Sequence, residues 1–402
     1  MRIAIVSTYG IECGIARFTD VLKNGLSKVP EIEVEVFDLP PHELKRSFGA
    51  TKAGANVFIE SLCKKLRGFD AVSVQCEYSI FADTLTDSVE RLKKVLLANG
   101  NTTLTLHTVI SRSTSSDFNR PPIVQWLSHP RRALSNFLSN RQHTIPAIVE
   151  ADLLGFCKDK KIKLIVHTKT TRDILKYRFK IDNVDCHPLC YNSAESLSGF
   201  NHDSCRAEII ARYKFEYTDK LIGVFGFFGH YKGFDYAIRG LSRMGDEYKL
   251  LIYSGLHPNS IRHSDTSQID SLVELAKKLN VLDKVFFMGS VDDVSLYKAI
   301  AGVDYCWLPY REVGQEASAI CSEVAELSRR MIISRNFAFS DYMNFGLRED
   351  YEFFEIGNIE ELKFKTHLYD TLNPKEHDVS PGIDFLSKQS SFYLENLKRT
   401  PV

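Results

Sequence analysis

Short apolar runs alternate with longer amphipathic stretches along most of this chain. The first run, Arg2 to Ser7, precedes a stretch in which Ile15, Phe18 and Leu22 recur at helical spacing. Further strand-like runs lie at 33–37, 71–81, 103–110 and 184–192, and helical patterns between them lie near 54–66, 87–98 and 146–157. Alternating strands and helices are typical of a doubly wound parallel sheet. The first half therefore predicts an α/β domain.

The second half repeats the alternation. A strand, a Gly-rich loop and a helix are predicted over 220–241. Further strand-like runs lie at 248–255, 284–291, 304–310 and 331–334, and helical patterns lie near 268–279 and 293–300. A chain of 402 residues with 44% hydrophobic residues can bury two cores and is too long for one typical domain. The polar stretch 193–204 is the predicted linker. We therefore expect one domain over residues 1–200 and a second over 205–382.

Composition and charge narrow the possible partners. The formal charge is zero overall, but residues 1–200 carry 27 Lys and Arg against 21 Asp and Glu. Such a mild excess fits an anionic acceptor or a membrane surface, or arises by chance, whereas nucleic-acid binding usually needs denser basic clusters. No run approaches the roughly 18 apolar residues of a membrane span, and the amino terminus lacks a signal-peptide pattern. We expect a cytoplasmic protein that does not bind nucleic acid.

The nine cysteines are scattered. Cys186 and Cys190 are four apart with His187 between them, but a zinc site would need more ligands than this neighbourhood offers. The chain also lacks an Asp-x-Asp stretch of the kind that holds Mn²⁺ or Mg²⁺. We therefore predict reduced, mostly buried thiols and no metal site.

The most informative stretch runs from Pro309 to Ser334. It predicts a strand end, a loop, a helix that begins near Ser318 and a further buried strand. The N–H groups at such a helix start, from Ser318 through Ala319 to Ile320, suit a phosphate. Glu323 lies about one and a half turns into the helix, where its carboxylate can accept hydrogen bonds from a ribose diol. The alternative is an ordinary strand–helix–strand unit with an incidental Glu.

Two other strand ends carry candidate residues. The strand and loop at 220–241 contain Lys232, which suits a diphosphate, and glycines such as Gly229 that permit close backbone approach; a solvated surface lysine is the alternative. The strand at 103–110 delivers His107 at its carboxyl end, where ligands of open α/β sheets bind, although a core or loop histidine is also common. Gly14 begins the first helix, but it does not belong to a GxGxxG motif, so we expect no nicotinamide cofactor.

These motifs together resemble those of retaining GT-B glycosyltransferases of the GT4 type. The segments ECGIARFT, VQCEYSIF and TLHTVI resemble three successive motifs of a bacterial subgroup rich in mannosyltransferase-like proteins. EVAELSRRMIIS follows the nucleotide-sugar signature, with Glu323 on the second of its two Glu positions. The chain departs from the pattern at the first Glu position, which is Gln315 with Glu316 one place later. It also has Phe227 where related enzymes often have Arg, and Cys76 where the subgroup usually has His.

The resemblance implies two Rossmann-like domains that face a cleft, with the acceptor on the first and the sugar nucleotide on the second. A carboxy-terminal helix, about 383–402, would pack back on the first domain. Lys232 and the helix start at Ser318 would bind the phosphates and Glu323 the ribose. Gln315 and Glu316 would approach the donor sugar, and His107 would orient it or contribute its backbone carbonyl.

The implied activity is metal-independent transfer of a hexose, with mannose favoured, from a nucleoside-diphosphate sugar with retention of anomeric configuration. GDP-mannose is the favoured donor and a UDP-sugar the alternative, and no further cofactor is implied. The acceptor would be a glycan or lipid-linked glycan in surface polysaccharide synthesis, which adds possible peripheral contact with the inner face of the cell membrane. Two alternatives remain: a GT-B-type sugar-nucleotide epimerase, and a non-catalytic partner subunit that binds nucleotide or glycan.

Overall fold

Two parallel sheets organise the chain. The computed structural model describes residues 1–11, 13–45, 49–110, 146–192, 194–255, 266–312, 316–346, 348, 350–371 and 385–398. Unit 1 comprises Met1–Pro188 and Gln389–Val402, and unit 2 comprises Leu189–Lys388. Within the described residues, each unit holds one six-stranded parallel sheet with flanking helices. The predicted α/β fold with two doubly wound sheets is therefore confirmed.

Unit 1 alternates strands and helices. Its strands are β1 (Arg2–Ser7), β2 (Glu33–Asp38), β3 (Ala71–Cys76), β4 (Thr102–Leu106), β5 (Lys163–Val166) and β6 (Val184–Cys186). Its described helices are α1 (Gly14–Ser27), α2 (Pro41–Leu44), α3 (Gly49–Leu66), α4 (Leu85–Leu96), α5 (146–159), α6 (Lys169–Tyr177) and, at the end of the chain, α15 (Phe385–Lys398). A 3-10 turn, Tyr78–Ile80, follows β3.

Unit 2 has the same composition of elements. Its strands are β7 (Lys220–Phe225), β8 (Tyr248–Tyr253), β9 (Val285–Phe287), β10 (Tyr305–Leu308), β11 (Met331–Ser334) and β12 (Tyr351–Phe354). Its described helices are α7 (Ala194–Leu197), α8 (His202–Tyr213), α9 (Phe234–Leu241), α10 (Ser267–Lys278), α11 (Asp293–Gly302), α12 (Ala319–Leu327), α13 (Phe337–Met343) and α14 (Ile359–Thr371). The 3-10 turns are His230–Lys232 and Leu282–Lys284.

Position in the sheet explains the strand sequences. β3 and β4 lie inside the first sheet, and every one of their residues is buried, as expected where helices cover both faces of parallel strands. β2 is an edge strand of that sheet, and none of its residues is buried. Its sequence EVEVFD accordingly alternates charged and apolar side chains.

Each sheet has a point at which the strand order reverses. The first sheet runs β2-β1-β3-β4-β5-β6, and the reversal lies between β1 and β3. The second runs β12-β11-β10-β7-β8-β9, and the reversal lies between β7 and β10. Connections leave such neighbouring strands in opposite directions, which opens a crevice outside their carboxyl ends. Ligands of doubly wound folds bind there, so these two edges carry the candidate sites.

The stretch predicted as a linker is partly helical. Residues 193–204 include α7 and the start of α8, and the chain passes from unit 1 to unit 2 earlier, between Pro188 and Leu189. Asn201 caps α8, because its side-chain oxygen accepts hydrogen bonds from the backbone N–H groups of Asp203 and Ser204. Ser and Asn favour both loops and helix caps, so a polar stretch alone does not separate the two.

The last helix, α15, packs on unit 1. The side chain of Asn101 donates a hydrogen bond of 2.8 Å to the carbonyl of Leu397, and the hydroxyls of Thr105 and Tyr393 lie 3.3 Å apart. The final helix thus completes the core beneath β4. Neither α15 nor any other helix in the described part of the chain has the length and apolar composition to cross a lipid bilayer.

All nine cysteines are free thiols. Six are buried, and only Cys13, Cys63 and Cys186 are partly exposed. Burial raises the pKa of the buried Cys76 and Cys190 thiols, which keeps them protonated and unreactive. The expectation that most of the thiols are buried is confirmed.

A carboxylate on α14 fastens that helix to the amino-terminal edge of the second sheet. Asp370 accepts hydrogen bonds from the Tyr248 hydroxyl at 2.5 Å, from the Lys220 ammonium at 2.9 Å and from the Tyr305 hydroxyl. These donors are the first residues of three neighbouring strands. Burial works against the charged form, yet the hydrogen bonds hold the pKa of Asp370 below its ordinary value.

We predict that Asp370→Asn destabilises the protein by about 2 kcal/mol at pH 7, because the charge-assisted bonds to Lys220 and the two tyrosines are lost. A carboxylate with a depressed pKa contributes stability above its unfolded pKa of about 4, and this is lost as the pH falls through the folded value. The difference in free energy of unfolding between wild type and variant should therefore shrink below about pH 4. Urea denaturation at several pH values measures it.

The matched control is Glu360→Gln on the same helix. Glu360 is 69% exposed and lies 3.7 Å from Arg243, so this variant should change stability by less than about 0.5 kcal/mol. A loss for Asp370→Asn that is no larger, or that grows as the pH falls, would contradict the assigned role of Asp370.

Candidate functional site

The candidate site of unit 2 lies at the carboxyl ends of β7 and β10. The loop after β7 holds the 3-10 turn that ends at Lys232, and the loop after β10 begins at Pro309. The two loops contact each other because the strands are neighbours at the reversal point. Residues far apart in sequence therefore meet at one place.

Lys232 is buried between these loops, with 6% of its surface exposed. Its ammonium donates a hydrogen bond to the Tyr310 hydroxyl and lies over the Tyr310 ring, 4.1 Å from the centroid. The ring of Tyr231 lies 5.1 Å from the same nitrogen. The described contacts of this cation are therefore with a hydroxyl and two aromatic rings.

These surroundings weaken the charge of the lysine. Burial lowers the pKa of Lys232 to about 7, and the nearby Cys321 and Glu323 oppose only part of that shift. The ordinary pKa of a lysine is about 10.4. An anion beside the ammonium favours the protonated form, so an anionic ligand would raise this pKa. Protonation of Lys232 and the presence of an anion beside it would therefore favour each other.

Two glycines allow this close packing. Gly226 and Gly233 have φ angles of +109° and +68°, which L side chains rarely adopt. A Cβ on Gly233 would lie 1.9 Å from the carbonyl oxygen of Pro309, so the two loops pack without space for a side chain. Gly229 differs: its backbone is extended, and a Cβ there would lie 3.1 Å from the ring of Tyr231.

Arg311 joins the two loops. Its guanidinium forms a two-pronged ion pair with Asp235 of α9 at 2.8 and 2.9 Å and donates 2.7 Å to the carbonyl of His230. Its backbone N–H donates to the carbonyl of Tyr231 at 2.7 Å. Paired bonds from a guanidinium fix both distance and orientation. Arg311 therefore fixes the turn that carries Lys232.

Helix α12 begins beside Lys232, as the sequence predicted. Ser318 caps it: the backbone is extended, and the side chain accepts from the N–H of Cys321 at 3.3 Å. The first N–H groups of a helix have no partner inside the helix, and those of Ala319 and Ile320 belong to this set. Ala319 and Ile320 are partly exposed, whereas Ser318 is buried. The helix start therefore adds donors and a partial positive charge next to the ammonium.

The carboxylates predicted near this helix are fully buried. Both Glu316 and Glu323 are 0% exposed, and Glu323 lies close enough to Lys232 to favour its charged form. The structure therefore brings Lys232, Ser318 and Glu323 into one buried polar group. Gln315, the residue on the first Glu position of the signature, lies outside the described residues.

Arg348 holds the other end of α12. Its side chain is fully buried and donates to the carbonyl of Ser328 at 2.7 Å and to that of Arg329 at 3.0 Å. Asp350 neutralises it at 2.9 Å. A cation at the carboxyl end satisfies carbonyls that lack partners within the helix. Capping by Ser318 and Arg348 thus sets the position of the helix along its axis.

The two candidates of unit 1 lie near its own reversal point. Gly14 is the first residue of α1 and is exposed, and a Cβ there would meet nothing within 4 Å. His107 directly follows β4, is partly exposed, and lies 3.0 Å from the side-chain amide of Gln75 and 3.1 Å from the ring of His167. Phe18 of α1 packs its edge against the His107 ring at 5.2 Å.

The structure adds residues that the sequence did not single out. Glu77, one residue beyond β3, accepts a 2.5 Å hydrogen bond from the Thr108 hydroxyl; burial raises the pKa of this carboxyl. His167 follows β5 as His107 follows β4, so a histidine at the end of an apolar strand was a usable signal. Tyr310 stands directly after Pro309 in the signature, but its contact with Lys232 had no signal in sequence spacing.

Comparison with known proteins places the fold. No family model matches the chain, and no curated protein matches its sequence. Similar solved structures include HepE of Anabaena with UDP and glucose, at 11% identity and a TM-score of 0.58 over 99% of this chain and 95% of that chain. A glycosyltransferase of Rickettsia africae is 14% identical, with a TM-score of 0.64 over 99% of each chain. A UDP-forming α,α-trehalose-phosphate synthase of Burkholderia xenovorans with glucose-6-phosphate is 9% identical, with a TM-score of 0.65 over 99% of this chain and 100% of that chain. At these identities the similarity shows the fold, and the predicted GT-B fold is confirmed.

We predict that Gly233→Ala disrupts the site, because the new Cβ would overlap the Pro309 carbonyl and force a strained φ angle. The expected cost is at least about 2 kcal/mol. Gly199→Ala is the control, since a Cβ there meets nothing within 4 Å and no positive φ angle is involved. Urea denaturation compares the two variants, and equal losses would contradict the tight contact at Gly233.

The pKa of Lys232 predicts a pH dependence of stability. Between about pH 7 and pH 10 the unfolded lysine binds a proton that the folded one lacks, so stability should rise with pH relative to Lys232→Met. The limiting slope is about 1.4 kcal/mol per pH unit. Burial also raises the pKa values of Tyr310 and Cys321, but both residues are present in wild type and variant, so their contributions cancel in the difference. A flat or falling difference between the two unfolding curves would show that folded Lys232 keeps its proton.

Proposed function

We propose that this protein is a retaining, metal-independent glycosyltransferase that moves a hexose, with mannose favoured, from a nucleoside-diphosphate sugar to a glycan or lipid-linked glycan. One observation carries the proposal. At the reversal point of unit 2, the buried ammonium of Lys232 lies beside the capped start of α12. A cation and free helix amides at one place form a site for a diphosphate.

The charge of the leaving group explains this arrangement. Breaking the bond between sugar and diphosphate puts negative charge on the phosphate oxygens, and its stabilisation is the largest task of the catalyst. Lys232 and the N–H groups of Ala319 and Ile320 can meet that charge within a buried site, where electrostatic interactions are stronger than in water. Since burial lowers the pKa of the free lysine to about 7, diphosphate binding above that pH takes up a proton.

Glu323 is the proposed ribose ligand. A carboxylate accepts two hydrogen bonds and so matches a diol. Its position at the fifth residue of α12 puts it one turn beyond the amides proposed for the phosphates. Its full burial implies that ribose binding must displace the side chains that cover it.

The remaining assignments concern the sugar and the acceptor. Gln315 and Glu316 would contact hydroxyls of the donor sugar. His107 would orient the sugar, and Gly14 would allow a ligand to approach the start of α1. We favour front-face attack, in which the departing phosphate accepts the proton of the acceptor hydroxyl, since such a mechanism retains configuration without a carboxylate nucleophile.

The identity of the donor is open between two bases. The motif resemblance favours GDP-mannose, whereas HepE was solved with UDP and UDP-glucose. The mildly basic first half supports a role at the inner face of the cell membrane, where lipid-linked acceptors of surface polysaccharide would be met. The alternative hypothesis to an active transferase is a partner subunit that binds nucleotide or glycan without turnover.

The first test incubates purified protein with GDP-mannose, UDP-glucose, UDP-N-acetylglucosamine, UDP-galactose and dTDP-rhamnose in the presence of EDTA. Mass spectrometry measures released nucleoside diphosphate and bound nucleotide. We expect slow hydrolysis of one donor despite the chelator. Tight binding of a nucleotide without hydrolysis, with or without candidate acceptors, would favour the non-catalytic subunit.

Two variants test the assigned residues. Lys232→Met should lower kcat/KM for that donor about 100-fold, because a charge-assisted contact that strengthens in the transition state is lost. Glu323→Gln should raise KM about tenfold with a smaller change in kcat, because the ribose contact is the same before and during the reaction. The control is Lys277→Met, which removes an exposed lysine paired with Glu274. Equal effects of all three variants would contradict the assignment.

A further inference from the structure

Three histidines lie at the carboxyl ends of neighbouring strands in unit 1. His107 follows β4, His167 follows β5, and His187 follows β6. Their order along the sheet edge places His167 between the other two. His167 is buried at 2% exposure, whereas His107 is partly exposed. The ring of Phe18 makes T-shaped contacts with the rings of His107 and His167, with centroids 5.2 and 5.7 Å apart.

A line of hydrogen bonds connects these residues. The side-chain amide of Gln75, with its oxygen facing the ring, lies 3.0 Å from Nε2 of His107. Nδ1 of His107 lies 3.1 Å from Nε2 of His167. Nδ1 of His167 lies 3.0 Å from the carbonyl oxygen of His187. Every ring nitrogen of His107 and His167 therefore has one partner in this line.

The chemistry of the partners assigns the protons. The His187 carbonyl can only accept, so Nδ1 of His167 carries hydrogen. Burial lowers the pKa of His167 to about 4, so the ring is neutral and its Nε2 is a bare acceptor. His107 must then donate through Nδ1. Burial and the neighbouring His167 also lower the pKa of His107 well below its ordinary value, so its Nε2 is bare as well.

Gln75 completes the assignment. A bare Nε2 on His107 requires the amide nitrogen of Gln75, not its oxygen, to face the ring. In the structure the amide oxygen faces the ring, and the amide nitrogen donates 3.0 Å to the Ser73 hydroxyl. The assignment therefore exchanges the two ends of the amide, which have the same shape, and the Ser73 hydroxyl can donate as readily as accept. Every group in the line is then satisfied with both histidines neutral. The opposite orientation would need an extra proton, and thus a buried positive charge, on the pair.

We propose that His167 is a positioning residue, which holds His107 as the neutral Nδ1–H tautomer so that its Nε2 accepts a hydrogen bond from a hydroxyl of the sugar substrate. The substrate hydroxyl would replace the Gln75 amide. This role rests on the proposed function, whereas the tautomer itself does not. His107 would then bind the hydroxyl as an acceptor and not as an acid.

The experiment compares three substitutions of His167. A glutamine can both accept from His107 and donate to the His187 carbonyl, so His167→Gln should preserve the line. Asparagine is shorter: His167→Asn should keep the bond to the carbonyl and lose the one to His107. His167→Leu should lose both. Thermal melting shows whether each variant is folded.

Nitrogen-15 NMR of histidine-labelled protein reads the tautomer directly, since protonated and bare ring nitrogens differ strongly in chemical shift. The His107 signals are assigned by their absence from His107→Gln. We expect a bare Nε2 in wild type and His167→Gln, and a protonated Nε2 in His167→Asn, where His107 is free to donate to Gln75. A protonated Nε2 in the wild type would overturn the proposal.

The donor-hydrolysis assay supplies the second readout. His167→Asn and His167→Leu should lower kcat about tenfold, and His167→Gln should restore most of it. Equal kcat in all variants with the expected tautomers would overturn the substrate role of His107. If the wild type neither binds nor consumes any donor, the proposed function fails together with the substrate role, while the NMR result still decides the tautomer.

Discussion

The burial of the Lys232 ammonium is the constraint on which the site of unit 2 depends. A lysine side chain is stable inside a protein only when nearby groups replace the lost water. Here the Tyr310 hydroxyl and two aromatic rings replace part of it, and the fall of the pKa to about 7 shows that the replacement is incomplete. The surroundings of Lys232 therefore stabilise its positive charge only in part, and a diphosphate beside it would supply the missing negative charge.

The surrounding elements keep the Lys232 ammonium buried. Gly233 permits contact between the two loops, Arg311 ties them together, and Ser318 and Arg348 cap the ends of α12. These groups act through their contacts with the loops and the helix. Their shared effect is to prevent the loops from relaxing until the ammonium reaches water. Rigid placement of donors before binding lowers the cost of reorganisation when charge develops.

The sequence predicted what local patterns determine. Apolar periodicity gave the parallel sheets, and Ser318 was correctly placed at the start of a helix because its capping chemistry is local. The burial of Lys232 by Tyr310 joins residues 78 positions apart and needed the strand order of the second sheet. The contact between His107 and His167 likewise depends on which strands are neighbours. The polar composition of 193–204 did not reveal its helices. Here the ambiguity is local, since Asn201 is equally suited to a loop and to a helix cap.

The return of α15 to unit 1 has a consequence for how the protein is made. Unit 2 is continuous in sequence, whereas unit 1 is completed only by the last helix, whose backbone and side chains give Asn101 and Thr105 their partners. Domains generally fold as units while the chain emerges from the ribosome. Because unit 2 lies between the two parts of unit 1, the helix that completes unit 1 is synthesised after unit 2, and unit 1 cannot reach its final packing before then.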